Sequence, residues 1–280
     1  MRFAIGYQPA FHGLDPARLL DYARHGEECG FEGIYLPEHV ALYPGARLGE
    51  MELPPTTPYL DPVDALAFVA AATSRLLLGT GVLLLPYHHP VPLAKRLATV
   101  DVLSGGRLRL LTVGVGALPG EAAAAGVDFT TRGRRADEAL DVLRLLWTGG
   151  PVSFDGEFFA FEDVCAFPRP LADLPVHVGG SSLAAARRAG RRGDGYFAGG
   201  LLTPDERARQ FAAARAAAVD AGRDPDALEY TRWGSVDMPG STVEALAAQG
   251  VTRLVVSASS ADPAEQRDQL SAFARRFGLG

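Results

Sequence analysis

The sequence predicts an α/β fold in which one (β/α)8 barrel, a TIM barrel, fills residues 1–280 as a single domain. Three observations predict it. Strand-like and helix-like segments alternate eight times along the chain. No linker, fixed-period repeat or low-complexity tract breaks the series. The length of 280 residues suits a barrel, which needs roughly 250. An open doubly wound sheet is the alternative, and the count of eight favours the barrel.

The elements follow in order. A first strand over 2–7 leads to a helix over 15–29, and a second strand over 33–36 to a long Pro/Gly-rich loop, 37–60. A helix over 62–73 precedes a third strand, 76–84, whose run is continuously apolar apart from its glycines and Thr80. The helix over 90–103 starts on Pro90, a residue that suits a first helical turn. A fourth strand, 108–113, feeds a helix over 131–147. An inserted, irregular segment, 149–175, carries a hairpin signal over 152–158 with Asp155-Gly156 at the turn. A β-branched strand, 176–178, meets a helix over 182–189. Strands over 195–198, 229–236 and 252–257 then alternate with helices over 204–221, 241–249 and 263–277.

Composition narrows the function classes. Hydrophobic residues make up 48% and charged residues 21%, the balance of a globular chain. The net charge of −6 argues against nucleic acid and acidic membranes as partners. No apolar run approaches the roughly 20 residues that span a bilayer. The N-terminus reads as a strand and not a signal peptide. Cys29 and Cys165 are the only two cysteines and form no pattern, which fits a reducing cytoplasm. The six histidines show no metal-ligand spacing, so no metal is expected. Lys95 is the only lysine and falls inside a predicted helix, which disfavours Schiff-base chemistry.

A barrel of this kind carries its site at the C-terminal ends of the strands. The most informative segment there is Leu174-Pro-Val-His-Val-Gly-Gly-Ser-Ser-Leu183, a strand running straight into a helix. The free N–H groups and dipole of that helix start suit a phosphate. Gly179 and Gly180 let the backbone approach a ligand, and Ser181 or Ser182 can cap the helix and donate to an oxygen. A serine-capped structural turn would read the same way. Glu38 and His39 follow the second strand directly, where a histidine can act as general acid or base. Gly114, Val115 and Gly116 open a glycine loop that lacks the dinucleotide spacing because of Pro119, so it reads as a close-approach loop over a ligand. Arg132, Arg134 and Arg135 open a helix, an unfavourable place for cations unless an anion is near. No nucleophile elbow or Walker loop occurs.

Taken together, seven segments resemble the bacterial luciferase-like flavin and deazaflavin oxidoreductases. They are Gly30-Phe-Glu-Gly-Ile-Tyr-Leu-Pro-Glu-His39, Leu78-Gly-Thr-Gly-Val82, Leu103-Ser-Gly-Gly-Arg107, Val113-Gly-Val-Gly116, Arg132-Gly-Arg-Arg-Ala-Asp-Glu138, Val178-Gly-Gly-Ser181 and Gly193-Asp-Gly-Tyr196. Pro58-Tyr-Leu-Asp-Pro62 and Leu83-Leu-Leu-Pro-Tyr87 resemble the subgroup that uses the deazaflavin coenzyme F-420. The resemblance implies hydride transfer between F-420 and a small organic molecule, with His39 handling the proton and Glu38 beside it. FMN-dependent monooxygenation is the alternative, and a ligand-binding barrel without turnover is a second.

The resemblance further implies a ring at the barrel mouth against a cis peptide at Gly81–Val82, with His39 and Tyr43 beside it. It places the cofactor phosphate at Gly179, Gly180, Ser181 and Ser182. Ala117 stands where many members have tryptophan, and Pro119 where a sugar-phosphate dehydrogenase branch has an acid, with Glu121 displaced from that place. The glucose 6-phosphate reaction is therefore not expected. Tyr59, Tyr87, Glu121 and Phe197 are expected to line a mostly apolar substrate pocket roofed by 37–60 and 149–175. A homodimer is also implied. Ala65, Phe68, Val69 and Ala72 form one helical face that fits either a dimer contact or packing on the barrel.

Overall fold

The computed structural model describes residues 1–280. Nine strands form one sheet: β1 (Arg2–Gly6), β2 (Gly33–Leu36), β3 (Leu77–Thr80), β4 (Leu83–Leu84), β5 (Leu111–Gly114), β6 (Val176–Gly180), β7 (Gly195–Ala198), β8 (Glu229–Ser235) and β9 (Arg253–Ser257). Their spatial order is β3-β2-β1-β9-β8-β7-β6-β5-β4, and every pairing is parallel. The two edges of the sheet are consecutive pieces of one stretch, and Gly79 bridges Leu110 just ahead of β5. The result is a nearly closed parallel barrel of the TIM type.

Eight helices surround it: α1 (Pro16–Glu28), α2 (Pro62–Ala70), α3 (Pro90–Leu103), α4 (Arg132–Leu146), α5 (Leu183–Arg192), α6 (Pro204–Asp220), α7 (Gly240–Ala248) and α8 (Pro263–Phe277). Several begin with a polar N-cap followed by proline. Asp15, Asp61 and Asp262 each accept backbone N–H groups of the first turn, and Thr203 and Glu206 form a capping box. No helix is long and apolar enough to cross a membrane. On α2, Ala65 and Val69 pack into the core while Phe68 faces outward, so the apolar face is divided between the two uses expected of it.

Three features differ from expectation. The run 76–84 is two strands, not one, parted at Gly81–Val82, whose peptide is cis as the resemblance implied. The strand expected at 108–113 starts at Leu111. The segment 149–175 does not roof the barrel. Its hairpin, Val152–Asp155 with Ala160–Val164, forms, but it is longer than the expected 152–158: Asp155 pairs with Ala160 and the turn is 156–159. It is pinned to the outer face of α4, where the Glu138 carboxylate accepts the N–H groups of Glu157, Phe158 and Phe159 at 2.7–2.9 Å. The remainder, 169–175, borders a cavity of about 590 Å³ with Arg144, Trp147 and Asp194, at the strands' N-terminal end.

The barrel interior is layered. At the N-terminal ends of the strands, buried Arg253 donates to Glu32 at 2.6 and 3.0 Å and to Glu229 at 2.6 Å. Arg2 pairs with both carboxylates, and buried His177 lies 3.7 Å from Glu229. Above this base lie Ala4, Tyr35, Leu110, Phe197 and Val255. Trp233 tops the stack, packed on Phe197 at 5.0 Å and Tyr35 at 6.4 Å.

Two buried histidines make acid a destabilising condition. Burial lowers the pKa of His177 to about 4, and burial together with Arg18 lowers that of His12 to about 4. Above the ordinary histidine pKa both states are neutral there. As pH falls from about 6.5 to about 4, the unfolded chain takes up protons that the native chain refuses, so stability is lost over that window. The expected loss is on the order of 3 kcal/mol per histidine. Urea midpoints measured down to about pH 4.5 should fall, and replacing both histidines with asparagine should flatten that dependence.

Candidate active site

The C-terminal mouth of the barrel opens into a cavity of about 640 Å³. Its wall combines the ends of β2, β4, β5, β6 and β8 with the loop after β2. Trp233 floors it, and the floor explains two glycines: a Cβ at Gly6 or at Gly81 would run into the Trp233 ring.

One end of the cavity has features that suit an anion. Gly179, Gly180, Ser181 and Ser182 all line it. The Gly180 carbonyl accepts from the Tyr196 hydroxyl at 2.8 Å and the Gly199 N–H at 2.9 Å, and the Ser181 carbonyl from the Gln210 amide at 2.9 Å. With those oxygens tied back, the Leu183 and Ala184 N–H groups that open α5 are left for a ligand. Ser182 caps α5 by accepting from Ala185 N–H at 3.2 Å. Gly180 sits at φ +147°, where a side chain would be strained, and a Cβ at Gly179 would strike Val82.

Arg132 reaches the same cavity from the start of α4. It donates to the carbonyls of Gly116 and Phe129, stacks on the Phe129 ring at 3.6 Å, and meets no carboxylate. The structure thus separates the three arginines. Arg134 binds Glu157, and Arg135 binds the Pro86 carbonyl and covers Phe159.

The other end centres on His39. Its Nδ1–H donates to the Glu121 carboxylate at 3.1 and 3.2 Å. Glu121 is fully buried and also accepts the Val40 N–H at 2.7 Å. This fixes the ring and leaves Nε2 as the nitrogen available in the cavity, the geometry of a histidine oriented by a carboxylate. Glu121 therefore stands behind His39 instead of lining the substrate space. Glu38 is likewise committed: its buried carboxylate accepts from His88 Nε2 at 2.9 Å and from the Leu84 N–H. Consecutive residues thus make crossed pairs, Glu38 with His88 and His39 with Glu121, clamping the loop after β2 from both sides.

Most expected residues meet at the mouth: Glu38, His39, Tyr59, Gly81, Val82, Gly114, Val115, Gly116 and the four residues 179–182. Three aromatics do not. Phe197 is 2% exposed, inside the barrel beneath Trp233, because strand alternation turns it inward. Tyr43 packs against Gly120 beside Ala46, Leu53 and Leu118. Tyr87 stands behind Gly116, whose φ of +76° and missing Cβ leave room for the phenol. Gln8, which directly follows the first strand, lines the wall as its position implied, whereas Leu48, Met51 and Trp233 were not singled out from sequence. Leu48 and Met51 belong to a short hairpin, Arg47–Leu48 with Met51–Glu52, inside the long loop.

Fold and site together define a parallel barrel whose mouth pairs a glycine–serine loop at a helix start with a carboxylate-oriented histidine. The chain belongs to the luciferase-like monooxygenase family, whose model matches residues 2–273. It is 31% identical over 242 residues to an uncharacterized protein of Mycobacterium bovis, covering 84% of this chain and 82% of that one. It is 34% identical over 205 residues to an F420-dependent glucose-6-phosphate dehydrogenase of Kribbella flavida, covering 71% of this chain and 58% of that one. The chain thus spans little more than half the length of that enzyme. Among solved structures it resembles an F420-dependent secondary alcohol dehydrogenase in complex with an F420-acetone adduct. The TM-score is 0.81 at 18% identity over 98% of both chains, a likeness of fold. The protein is a luciferase-like flavin- or deazaflavin-dependent oxidoreductase.

Proposed function

We propose that the protein is an F-420-dependent oxidoreductase acting on a small, mostly apolar organic substrate. The observation that carries this reading is the cavity itself, with an anion cradle at one end and the Glu121-oriented His39 at the other. The relatives named for F-420, at 32–34% identity, favour the deazaflavin over FMN. The residues fit such a cofactor: an Arg132 without a carboxylate partner, tied-back carbonyls in the cradle, and glycines where a Cβ would fill the space. Gly179, Gly180, Ser181, Ser182 and Arg132 would hold its phosphate, and Gly81, Val82 and Gly114 to Gly116 would face its ring.

When bound, the deazaflavin supplies a carbon that accepts or donates a hydride. The protein handles the accompanying proton. In the oxidative direction, His39 Nε2 takes the proton from the substrate as its C–H hydride leaves, and the imidazolium so formed faces the Glu121 carboxylate. In the reductive direction the same nitrogen returns the proton. Leu48, Met51 and Trp233 close the site with apolar surface, which limits competing water.

Titration of the purified protein with F-420 and with FMN, read by fluorescence, tests the reading. Saturable binding of F-420 in preference to FMN is expected. Binding of FMN alone would select the reduced-flavin monooxygenase, and binding of neither would overturn both. Arg132→Gln should weaken F-420 binding about 10- to 100-fold, the value of a lost charge-assisted hydrogen bond, with the thermal midpoint nearly unchanged. Unaltered affinity would remove Arg132 from the phosphate site.

A further inference from the structure

Tyr59 is a pocket residue whose polar atom has no task within the protein. Its ring meets the His39 ring edge-on, with centroids 4.7 Å apart and planes at 73°. The residue is half-buried on the cavity wall, and its hydroxyl makes no hydrogen bond to any protein atom. Burial and the nearby Glu121 charge hold the phenol above its ordinary pKa, so it stays protonated and able to donate. The wall around it carries no free charge. Leu48 and Met51 are apolar, Gln8 is neutral, and Glu38 and Glu121 are spent on His88, His39 and backbone N–H groups. Arg47, on the same hairpin, is occupied by the Glu50 carbonyl and by Glu50 and Glu52. The cavity's single cation without a carboxylate partner is Arg132, held by the Gly116 and Phe129 carbonyls.

We propose that Tyr59 is the second residue that grips the reacting oxygen. Its hydroxyl donates to the substrate oxygen whose proton His39 Nε2 handles, and this end of the cavity takes an uncharged alcohol or the corresponding carbonyl compound. This rests on the F-420 reading above. In the oxidative direction the carbinol C–H leaves as hydride to the deazaflavin and the O–H proton goes to His39, while the C–O bond becomes C=O. Tyr59 keeps its own proton throughout and stabilises the oxygen by donation. A sugar phosphate, with nearly two negative charges, finds no Arg or Lys on the cavity wall beyond Arg132, which the cofactor phosphate would occupy.

The test uses the full-length protein loaded with oxidised F-420, and titrates cyclohexanol, cyclohexanone and glucose 6-phosphate by saturation-transfer NMR. Both uncharged probes should bind saturably and glucose 6-phosphate should not. Tyr59→Phe should weaken the uncharged probes about three- to tenfold, the loss of one hydrogen bond, while leaving F-420 affinity within about twofold. If cyclohexanol is turned over, the same variant should lower kcat/KM by that factor without shifting the pH profile set by His39. Failure of the unmodified protein to bind F-420 overturns the reading on which the proposal rests. With F-420 bound, either equal affinity of Tyr59→Phe for the uncharged probes, no binding of them at all, or preferential binding of glucose 6-phosphate overturns the proposal itself.

Discussion

His39→Ala should lower turnover about 100- to 10,000-fold, the contribution of a positioned acid–base group, while F-420 affinity stays near that of the unaltered protein. The separation follows from the geometry. His39 follows β2 and the loop 179–182 ends β6, strands that are not neighbours in the barrel, so its loss removes proton transfer and not phosphate binding. Glu121→Gln is the informative companion. It keeps the volume and the acceptor for Val40 N–H but removes the charge facing the imidazolium, so activity should fall less than in His39→Ala and its pH profile should move. A His39→Ala variant with an unchanged rate would place the proton chemistry elsewhere, with Tyr59 the nearest candidate.

The largest effect on stability is expected at the other end of the barrel. Arg253→Met should cost about 2–4 kcal/mol, because it removes a buried guanidinium and leaves the part-buried carboxylates of Glu32 and Glu229 at the strand ends with only the half-exposed Arg2 between them. For a chain of this size that is a fall in Tm of roughly 4–16 °C. Replacing Glu32 and Glu229 with glutamine in the same background should recover part of the loss, since the unpaired charges and not the missing packing carry most of it. Calorimetry reads this directly, and F-420 binding should be unchanged, as the base lies on the face opposite the site. A loss under about 1 kcal/mol would mean that water or rearrangement reaches those carboxylates.

The alternation of elements was legible because each strand and helix carries its own period and its own punctuation. The break between β3 and β4 was not, because Leu76 to Leu84 reads as one apolar run, and the cis peptide within it was implied only by the family resemblance. The phase of a strand about the barrel axis was hidden in the same way. Phe197 ends a strand at the active face, yet its side chain alternates into the interior, and Trp233, on a neighbouring strand, takes the floor. The small residues Gly6 and Gly81, opposite one large ring, were the available sign of that floor. Glu121 and Glu38 were legible as acids near the mouth, but their commitments were not: Glu121 meets His39 across 82 positions, and Glu38 meets His88 across 50. The inserted hairpin formed, though longer than its turn signal implied, while its docking site depends on Glu138, a contact that no local pattern announces.

We propose that one cavity holds the cofactor phosphate at residues 179–182 and the reacting carbon beside His39. A crystal structure of the protein with F-420 tests it most directly. The account predicts the phosphate within hydrogen-bond distance of Ser181, Ser182 and the Arg132 guanidinium, the ring against Gly81 and Val82, and His39 Nε2 beside the reacting carbon. A phosphate bound away from that loop, or a ring lying away from His39, would contradict it.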